Sequence, residues 1–236
     1  LAPGTLDLER ATKFVPQEDV IAVDLYDGED SFVFLDGRMY VRYLAGGPSR
    51  VRMFDLSGAP QGDLPLPGIA AVDEIEAVGD DLLYSVETYV APLQFYRFAD
   101  GKSVPTALKT TSPVSFDDME VLRVFATSKD GTRVPLNVIR RKGTKLDGAN
   151  PVLLNGYGGY GLSETPFFLG ASRRMLFYAR DTYVIANLRG GGEYGRDWHL
   201  AGSSRRAAGR ALREASVARS FRACCWSCRR RCAPKA

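Results

Sequence analysis

Short apolar runs separated by turn residues fill the chain from about residue 15 to residue 115. Two of these runs, 31–35 and 39–44, are joined by Asp36-Gly37, a dipeptide that favours a tight β-hairpin. Turn residues recur near positions 36, 58, 80 and 100, with almost no helical period between them. Strands at this spacing predict a sandwich, a barrel or propeller blades, and the recurring turns favour the blades of a β-propeller.

Beyond about residue 118 the pattern changes to the order of a βαβ unit. Residues 120–127 and 133–140 form a predicted hairpin around the turn Lys129-Asp130-Gly131. Two largely apolar runs follow, PVLLN (151–155) and TYVIANL (182–188), as is typical of strands buried on both faces of a sheet. The intervening segment, 166–181, has a moderate helical pattern. The sequence therefore predicts two parallel strands joined by a helix.

A glycine-rich segment follows each apolar run. The first is GYGGYG (156–161) and the second is RGGGEYG (189–195). Loops at the carboxyl ends of parallel strands form the ligand crevice of an open α/β sheet. The first segment fits the bare G-x-G-x-x-G pattern, but no acidic residue ends the next strand and no Lys-Ser/Thr pair follows, which argues against a nucleotide. The alternative is an oxyanion hole, in which Tyr157 aims its hydroxyl at developing charge, unobstructed by its glycine neighbours.

Composition changes abruptly near residue 203. The last 34 residues hold 10 of the 31 Lys and Arg, 1 of the 28 Asp and Glu, and all four cysteines. The first 202 residues are therefore acidic and free of cysteine, which predicts a cytoplasmic protein, with the periplasm as the alternative. The chain has no apolar run of about 18 residues and no amino-terminal signal sequence, so we expect no membrane partner.

The tail, residues 203–236, has three interpretations. A zinc site would use Cys224, Cys225, Cys228 and Cys232, but one short cluster lacks the paired spacing of zinc knuckles and ribbons, so no metal site is predicted. The arginines could attract the phosphates of a nucleic acid by charge alone, although we do not expect that partner. We favour a reading-frame shift in a GC-rich gene, since out-of-frame GC-rich codons encode mostly Arg, Ala, Gly, Pro and Ser. With so little apolar content the tail is predicted to be disordered.

Two stretches of the chain carry a family resemblance, SKDGTRVPLNVIRRKGTKLDGANPVLLNGYGGYG and VIANLRGGGEYGRDWHLAG. They closely resemble the prolyl oligopeptidase family of serine peptidases over about residues 125–202. The resemblance implies a fold that is β-rich plus α/β, with the last blades of a β-propeller in residues 1–115 and the first strands of an α/β-hydrolase domain in residues 116–202. It also implies that Tyr157 is the oxyanion donor and that Tyr160, where the family has phenylalanine, lines the proline-binding pocket.

The sequence does not supply a catalytic triad. No G-x-S-x-G occurs, and the single histidine, His199, precedes the place where that nucleophile motif would come. We therefore predict a structural or substrate-flanking role for His199. By resemblance the function is that of a serine endopeptidase that hydrolyses short peptides after proline without a cofactor. This chain is predicted to be an inactive fragment of it. The alternative is a non-catalytic module that binds a protein through the partial propeller or a nucleic acid through the tail.

Overall fold

The computed structural model describes residue 15 and residues 21–22, 31–145, 150–175, 177 and 182–203. Three β-sheets and two short helices, α1 (Gly170–Arg174) and α2 (Arg196–Ser203), make up these parts of the chain. The predictions for the tail, including those for its four cysteines, concern positions outside the described residues.

The first sheet is wholly antiparallel and has the order β1-β3-β4-β5, with β2 pairing β3. Its strands are β1 (Ile21–Ala22), β2 (Phe32–Leu35), β3 (Arg38–Leu44), β4 (Ser49–Asp55) and β5 (Pro60–Asp63). The predicted hairpin around Asp36-Gly37 is confirmed, since Leu35 pairs with Arg38 and both turn residues have positive φ. Such a turn has the twist that suits the two flanking strands.

The second sheet is also antiparallel, with the order β10-β9-β8-β6 and with β7 pairing β8. Its strands are β6 (Ala70–Ala71), β7 (Ile75–Val78), β8 (Asp81–Thr88), β9 (Gln94–Ala99) and β10 (Lys102–Lys109). One apolar core joins it to the first sheet, because Tyr40 and Val51 pack in the same cluster as Leu82 and Tyr84. Two small antiparallel sheets that share a core are consistent with propeller blades, and no closed ring is formed by the described residues.

The third sheet is mixed and has the order β11-β12-β14-β13. Its strands are β11 (Met119–Thr127), β12 (Arg133–Arg141), β13 (Val152–Tyr157) and β14 (Thr182–Asn187). β11, β12 and β14 are antiparallel neighbours, and β13 lies parallel to β14. The predicted hairpin and the predicted parallel pair are both confirmed. The helix predicted over 166–181 is observed as the shorter α1, and residues 166–169 are not helical.

The central strand β14 carries two cores. Tyr183 and Ile185 face one side of the sheet and pack in a cluster with Ile139, while Val184 and Ala186 face the other side. Alternation along a strand explains this division, and burial on both faces explains why β14 is apolar from Tyr183 to Ala186. Tyr89 of the β8–β9 connection belongs to the cluster that contains Ile185. Residues on both sides of the predicted division at 115 and 116 therefore share a core, and that division stays a prediction.

Candidate functional site

Both glycine-rich segments begin at the same edge of the mixed sheet. β13 ends at Tyr157 and β14 ends at Asn187, and these two residues are partners in the parallel register. The first glycine loop (residues 158–164) and the second glycine loop (residues 189–195) therefore start side by side at the carboxyl ends of parallel strands. Ligands bind at this position in open α/β sheets.

The two glycine loops pack backbone against backbone. Gly161 N donates a hydrogen bond to Gly190 O at 3.0 Å. A Cβ added at Gly158 would lie 2.5 Å from Arg189 O and 2.9 Å from Leu188 Cβ, so that position has no room for a side chain. The glycine beside Tyr157 is thus required by the approach of the second glycine loop. This reason differs from the predicted one, which was to leave the tyrosine unobstructed.

Tyr157 lies at the open end of β13. Its side chain is 41% exposed, and its ring folds over Gly159, where an added Cβ would lie 3.3 Å from both Cζ and the hydroxyl oxygen. The hydroxyl makes no hydrogen bond to another described residue. It can therefore donate to a ligand above the sheet edge, and its role as an oxyanion donor stays a prediction.

Tyr160 occupies the tip of the first glycine loop. Leu162 N donates to Gly159 O at 3.1 Å, and the two central residues of this turn, Tyr160 and Gly161, have φ values of 57° and 72°. Two positive φ values mark a type I′ turn. The Tyr160 side chain is 90% exposed, so a pocket wall built on its ring needs a further surface opposite it. Its predicted place in a proline pocket stays a prediction.

A buried arginine ties the second glycine loop to the β11–β12 turn. Arg189 Nη1 donates to Asp130 Oδ2 at 2.6 Å and to Thr132 Oγ1 at 3.2 Å, and Nη2 donates to Ser128 Oγ at 3.1 Å. The hydrogen bond from Arg189 holds the pKa of the Asp130 carboxyl well below its usual range. Sequence reasoning missed this ion pair. The available signal was that Asp130 and Arg189, which carry opposite charges, lie in the two stretches that carry the family resemblance.

Helix α2 forms hydrogen bonds with the backbone at the start of the second glycine loop. Trp198 Nε1 donates to Leu188 O at 3.1 Å, and Gly190 N donates to Trp198 O at 2.9 Å. His199 Nδ1 lies 2.8 Å from Gly190 O, and because a carbonyl only accepts, Nδ1 carries the proton. These contacts agree with the structural alternative for His199.

The second glycine loop contains a buried carboxyl. The Glu193 side chain is 0% exposed, and its Oε1 accepts hydrogen bonds from Glu164 N at 3.0 Å and from Asn187 Nδ2 at 3.3 Å. Its Oε2 has no hydrogen-bond partner among the described residues. Burial, as the largest cause, raises the pKa of Glu193. Sequence reasoning missed this residue, although an acid inside a glycine-rich segment next to a buried strand was a usable signal.

Replacing Glu193 by glutamine should flatten the pH dependence of stability in mild acid. Because the folded carboxyl has a pKa above its ordinary value of 4.5, the folded chain binds the proton more tightly than the unfolded chain. The free energy of unfolding therefore falls as the pH rises from that value through the folded pKa. Thermal melts between about pH 4 and about pH 8 should show this fall for the unmodified chain and a smaller one for Glu193→Gln.

The same substitution at an exposed position is the control for this experiment. Glu76→Gln on β7 changes an exposed carboxyl and should leave the slope unchanged. Glu164 and Tyr89 also face Glu193, and both remain in the variant. Equal slopes for Glu193→Gln and the unmodified chain would contradict a protonation that is coupled to folding.

Two properties of the described residues concern metal ions and membranes. No group of three or more His, Cys, Asp and Glu in these parts of the chain could hold a metal ion. None of the described helices has the length and apolarity needed to cross a membrane.

The chain is similar in sequence to several known proteins. No protein-family model matches the chain. It is 32% identical over 173 residues to the prolyl endopeptidase of Elizabethkingia miricola, covering 71% of this chain and 24% of that protein. It is 39% identical over 110 residues to prolyl oligopeptidase A of Galerina marginata, covering 45% of this chain and 15% of that protein. The chain spans about a quarter or less of the length of these curated relatives.

Solved structures give the same result at the level of the fold. A prolyl endopeptidase structure matches with a TM-score of 0.69 and 33% identity, covering 82% of this chain and 29% of that one. Substrate-bound prolyl oligopeptidase B of Galerina marginata matches with a TM-score of 0.70 over 89% of this chain and 30% of that one, and at 20% identity this likeness concerns the fold alone. From these relatives and from the shared fold we conclude that the chain belongs to the prolyl oligopeptidase family.

Proposed function

We propose that this chain is part of a serine endopeptidase that hydrolyses short peptides after proline. The observation that carries the proposal is the pairing of Tyr157 with Asn187 at the carboxyl edge of the mixed sheet. In α/β-hydrolases a glycine-rich loop at this edge of the sheet holds oxyanion donors, which supports the same role for the first glycine loop. The order of the sheet, an antiparallel hairpin followed by a parallel pair, is the order in which such a domain begins. The named relatives support the same reaction class.

In this proposal Tyr157 stabilises the oxyanion of the tetrahedral intermediate. Acyl transfer puts negative charge on the former carbonyl oxygen, and a donor that is already in place stabilises that charge without reorganisation. Tyr157 is an exposed residue at the end of a sheet strand, and its hydroxyl makes no hydrogen bond within the described part of the chain. Tyr160, in the same loop, is proposed to contact the proline ring of the peptide. No residue of this chain is assigned as nucleophile, base or orienting acid.

The proposal also assigns roles to the two parts of the chain. Residues 1–115 would be propeller blades that restrict access to short peptides, and residues 116–202 would begin the catalytic domain. A cytoplasmic location is part of the proposal and rests on the acidic, cysteine-free composition of the first 202 residues. Short proline-containing peptides are the proposed partners.

A chimeric enzyme tests the proposed function. The segment of the Elizabethkingia miricola prolyl endopeptidase that aligns with residues 119–202 is replaced by those residues of this chain. We expect the chimera to cleave a chromogenic proline-containing peptide with a kcat within about tenfold of the parent, a barrier change of about 1.4 kcal/mol. A chimera that melts cooperatively and reacts with a fluorophosphonate, yet does not turn over the peptide, would contradict the proposal.

The chain alone is the negative control for the chimera. Because it contains no G-x-S-x-G, it should neither hydrolyse the peptide nor react with the fluorophosphonate. Intact-mass spectrometry after incubation with the reagent measures this directly. Stoichiometric addition to any serine of the 236 residues would show that a nucleophile is present after all.

A further inference from the structure

Two buried side chains hold the far end of the first glycine loop. Asn187 Nδ2 donates to Glu164 O at 2.7 Å, and Glu193 Oε1 accepts from Glu164 N at 3.0 Å. Both backbone polar groups of residue 164 are therefore bound by side chains at or beyond the end of β14. The side chains of Asn187 and Glu193 also bind each other, and both are 0% exposed. We name this group of Asn187, Glu193 and the backbone of residue 164 the loop clamp.

The orientation of the Asn187 amide is fixed by its partners. Its Oδ1 accepts a hydrogen bond from Asn137 Nδ2 at 3.0 Å, which leaves Nδ2 to face Glu164 O and Glu193. The turn that follows β3 closes the clamp, since a Cβ added at Gly47 would lie 2.8 Å from Asn187 Nδ2 and 2.9 Å from Glu164 O. These contacts fix the orientation of the Asn187 amide, and through it the position of the backbone of residue 164.

The buried carboxyl of Glu193 is energetically unfavourable in the loop clamp. Burial removes a carboxyl from water, which is unfavourable unless hydrogen bonds or a charged partner replace the lost hydration. Glu193 Oε2 has no hydrogen-bond partner in the described part of the chain, so this carboxyl is incompletely satisfied. An apolar side chain of the same size could fill the space, but it could not accept the hydrogen bond from Glu164 N. That hydrogen bond is the distinctive property of Glu193.

The first glycine loop leaves the sheet and returns to the same point. It departs after Tyr157, the register partner of Asn187, and comes back to Asn187 at residue 164. Between these ends the hydrogen bond from Gly161 N to Gly190 O holds the middle of the loop. The Tyr157 ring lies over Gly159 inside this loop, so the path of the loop determines where the hydroxyl lies.

We propose that Asn187 and Glu193 are positioning residues that set the location of the Tyr157 hydroxyl by fixing residue 164. Neither side chain needs to touch a substrate for this role. The placement of Tyr157 is a property of this chain alone, whereas its consequence for catalysis rests on the function proposed above.

Two substitutions of nearly equal size separate positioning from packing. Glu193→Leu fills nearly the same volume but removes the acceptor, and because the lost hydrogen bond from Glu164 N is one contact among many in the fold, the variant should be destabilised but still fold. Glu193→Gln keeps a carbonyl oxygen at Oε1 and so keeps the acceptor. A packing role predicts that the two variants behave alike, whereas a positioning role predicts that only Glu193→Leu disturbs Tyr157.

The first measurement is ¹⁹F NMR of the full chain with 3-fluorotyrosine at position 157. We expect the resonance of Glu193→Leu to shift towards that of free 3-fluorotyrosine, and that of Glu193→Gln to stay with the unmodified chain. Val51→Ala, which opens a cavity in the distant first sheet, controls for general loss of stability and should leave the resonance in place. An unmoved resonance in folded Glu193→Leu, or an equal shift in Val51→Ala, would overturn the inference.

The second measurement is kinetic and uses the chimeric enzyme. Glu193→Leu should lower kcat by about 10- to 100-fold with little change in KM, since a misplacement of about 1 Å has effects of that size. Glu193→Gln should restore kcat. If Tyr157→Phe leaves kcat unchanged, the proposed function of Tyr157 fails, while the ¹⁹F result still decides the positioning. If Tyr157→Phe lowers kcat and Glu193→Leu does not, the positioning inference fails and the proposed function stands.

Discussion

Replacing Gly190 by alanine should destabilise the fold by about 2–5 kcal/mol, the sum of a backbone cost of about 1–2 kcal/mol and an overpacking cost of about 1–3 kcal/mol. Gly190 has a φ of 104°, which L-amino acids rarely adopt. An added Cβ would overlap the carbonyl oxygen of Gly158 and would lie 3.4 Å from Gly202 Cα. Both neighbours are backbone atoms, one in the first glycine loop and one in α2. Neither can rotate away, so the loops themselves would have to separate.

Gly143→Ala is the matched control for this substitution. Gly143 follows β12 in the same sheet and has a φ of 76°, but an added Cβ there would meet nothing within 4 Å. It should therefore cost only the backbone part, about 1–2 kcal/mol. Urea unfolding of both variants gives the difference between them. Equal losses would mean that the two glycine loops are not in the close contact that the structure shows.

Local sequence signals predicted the strands and their turns. The hairpin predicted for 120–127 and 133–140 is observed as Met119–Thr127 and Arg133–Arg141, and it needed only an Asp-Gly turn between two β-like runs. The parallel strands were predictable from their largely apolar runs. β14 is buried at every position, as predicted, whereas in β13 only Val152 is buried and the residues from Asn155 to Tyr157 are exposed, so burial on both faces was wrong for β13. These features depend on residues that are close to one another in the sequence, so they can be predicted from the sequence of one chain.

The pattern of apolar and polar residues did not predict contacts between residues that are distant in the sequence. Nothing local indicates that β14 lies between β12 and β13, or that Arg189 reaches Asp130 across 59 positions. The predicted helix over 166–181 shows the same limit. Phe168 and Leu169 precede α1 and pack against the core beside Tyr89, so their apolar character reflects a tertiary contact rather than a helix face. The loop clamp was missed for that reason as well, since residue 164 lies 23 positions from Asn187 and 29 positions from Glu193 and meets them only when the sheet forms.

Replacing Tyr157 by phenylalanine in the chimeric enzyme should lower kcat by about 10²–10³-fold, the usual loss for one oxyanion donor. The substitution removes a single oxygen and keeps the ring that lies over Gly159. KM should change much less, because the hydrogen bond strengthens only as charge develops in the transition state. Steady-state kinetics with a proline-containing chromogenic peptide separates the two constants.

Tyr160→Phe is the control, because it removes the same atom three residues away in the same glycine loop. The Tyr160 ring is 90% exposed at the tip of the turn, and phenylalanine is the residue that the family resemblance implies there. We therefore expect kcat to stay within about twofold, which is less than about 0.5 kcal/mol in the barrier. If Tyr157→Phe also left kcat intact in a folded chimera, its hydroxyl would not reach the oxyanion. The aromatic ring would then serve only to pack over Gly159, and the oxyanion donor would have to be sought elsewhere on the edge of the mixed sheet.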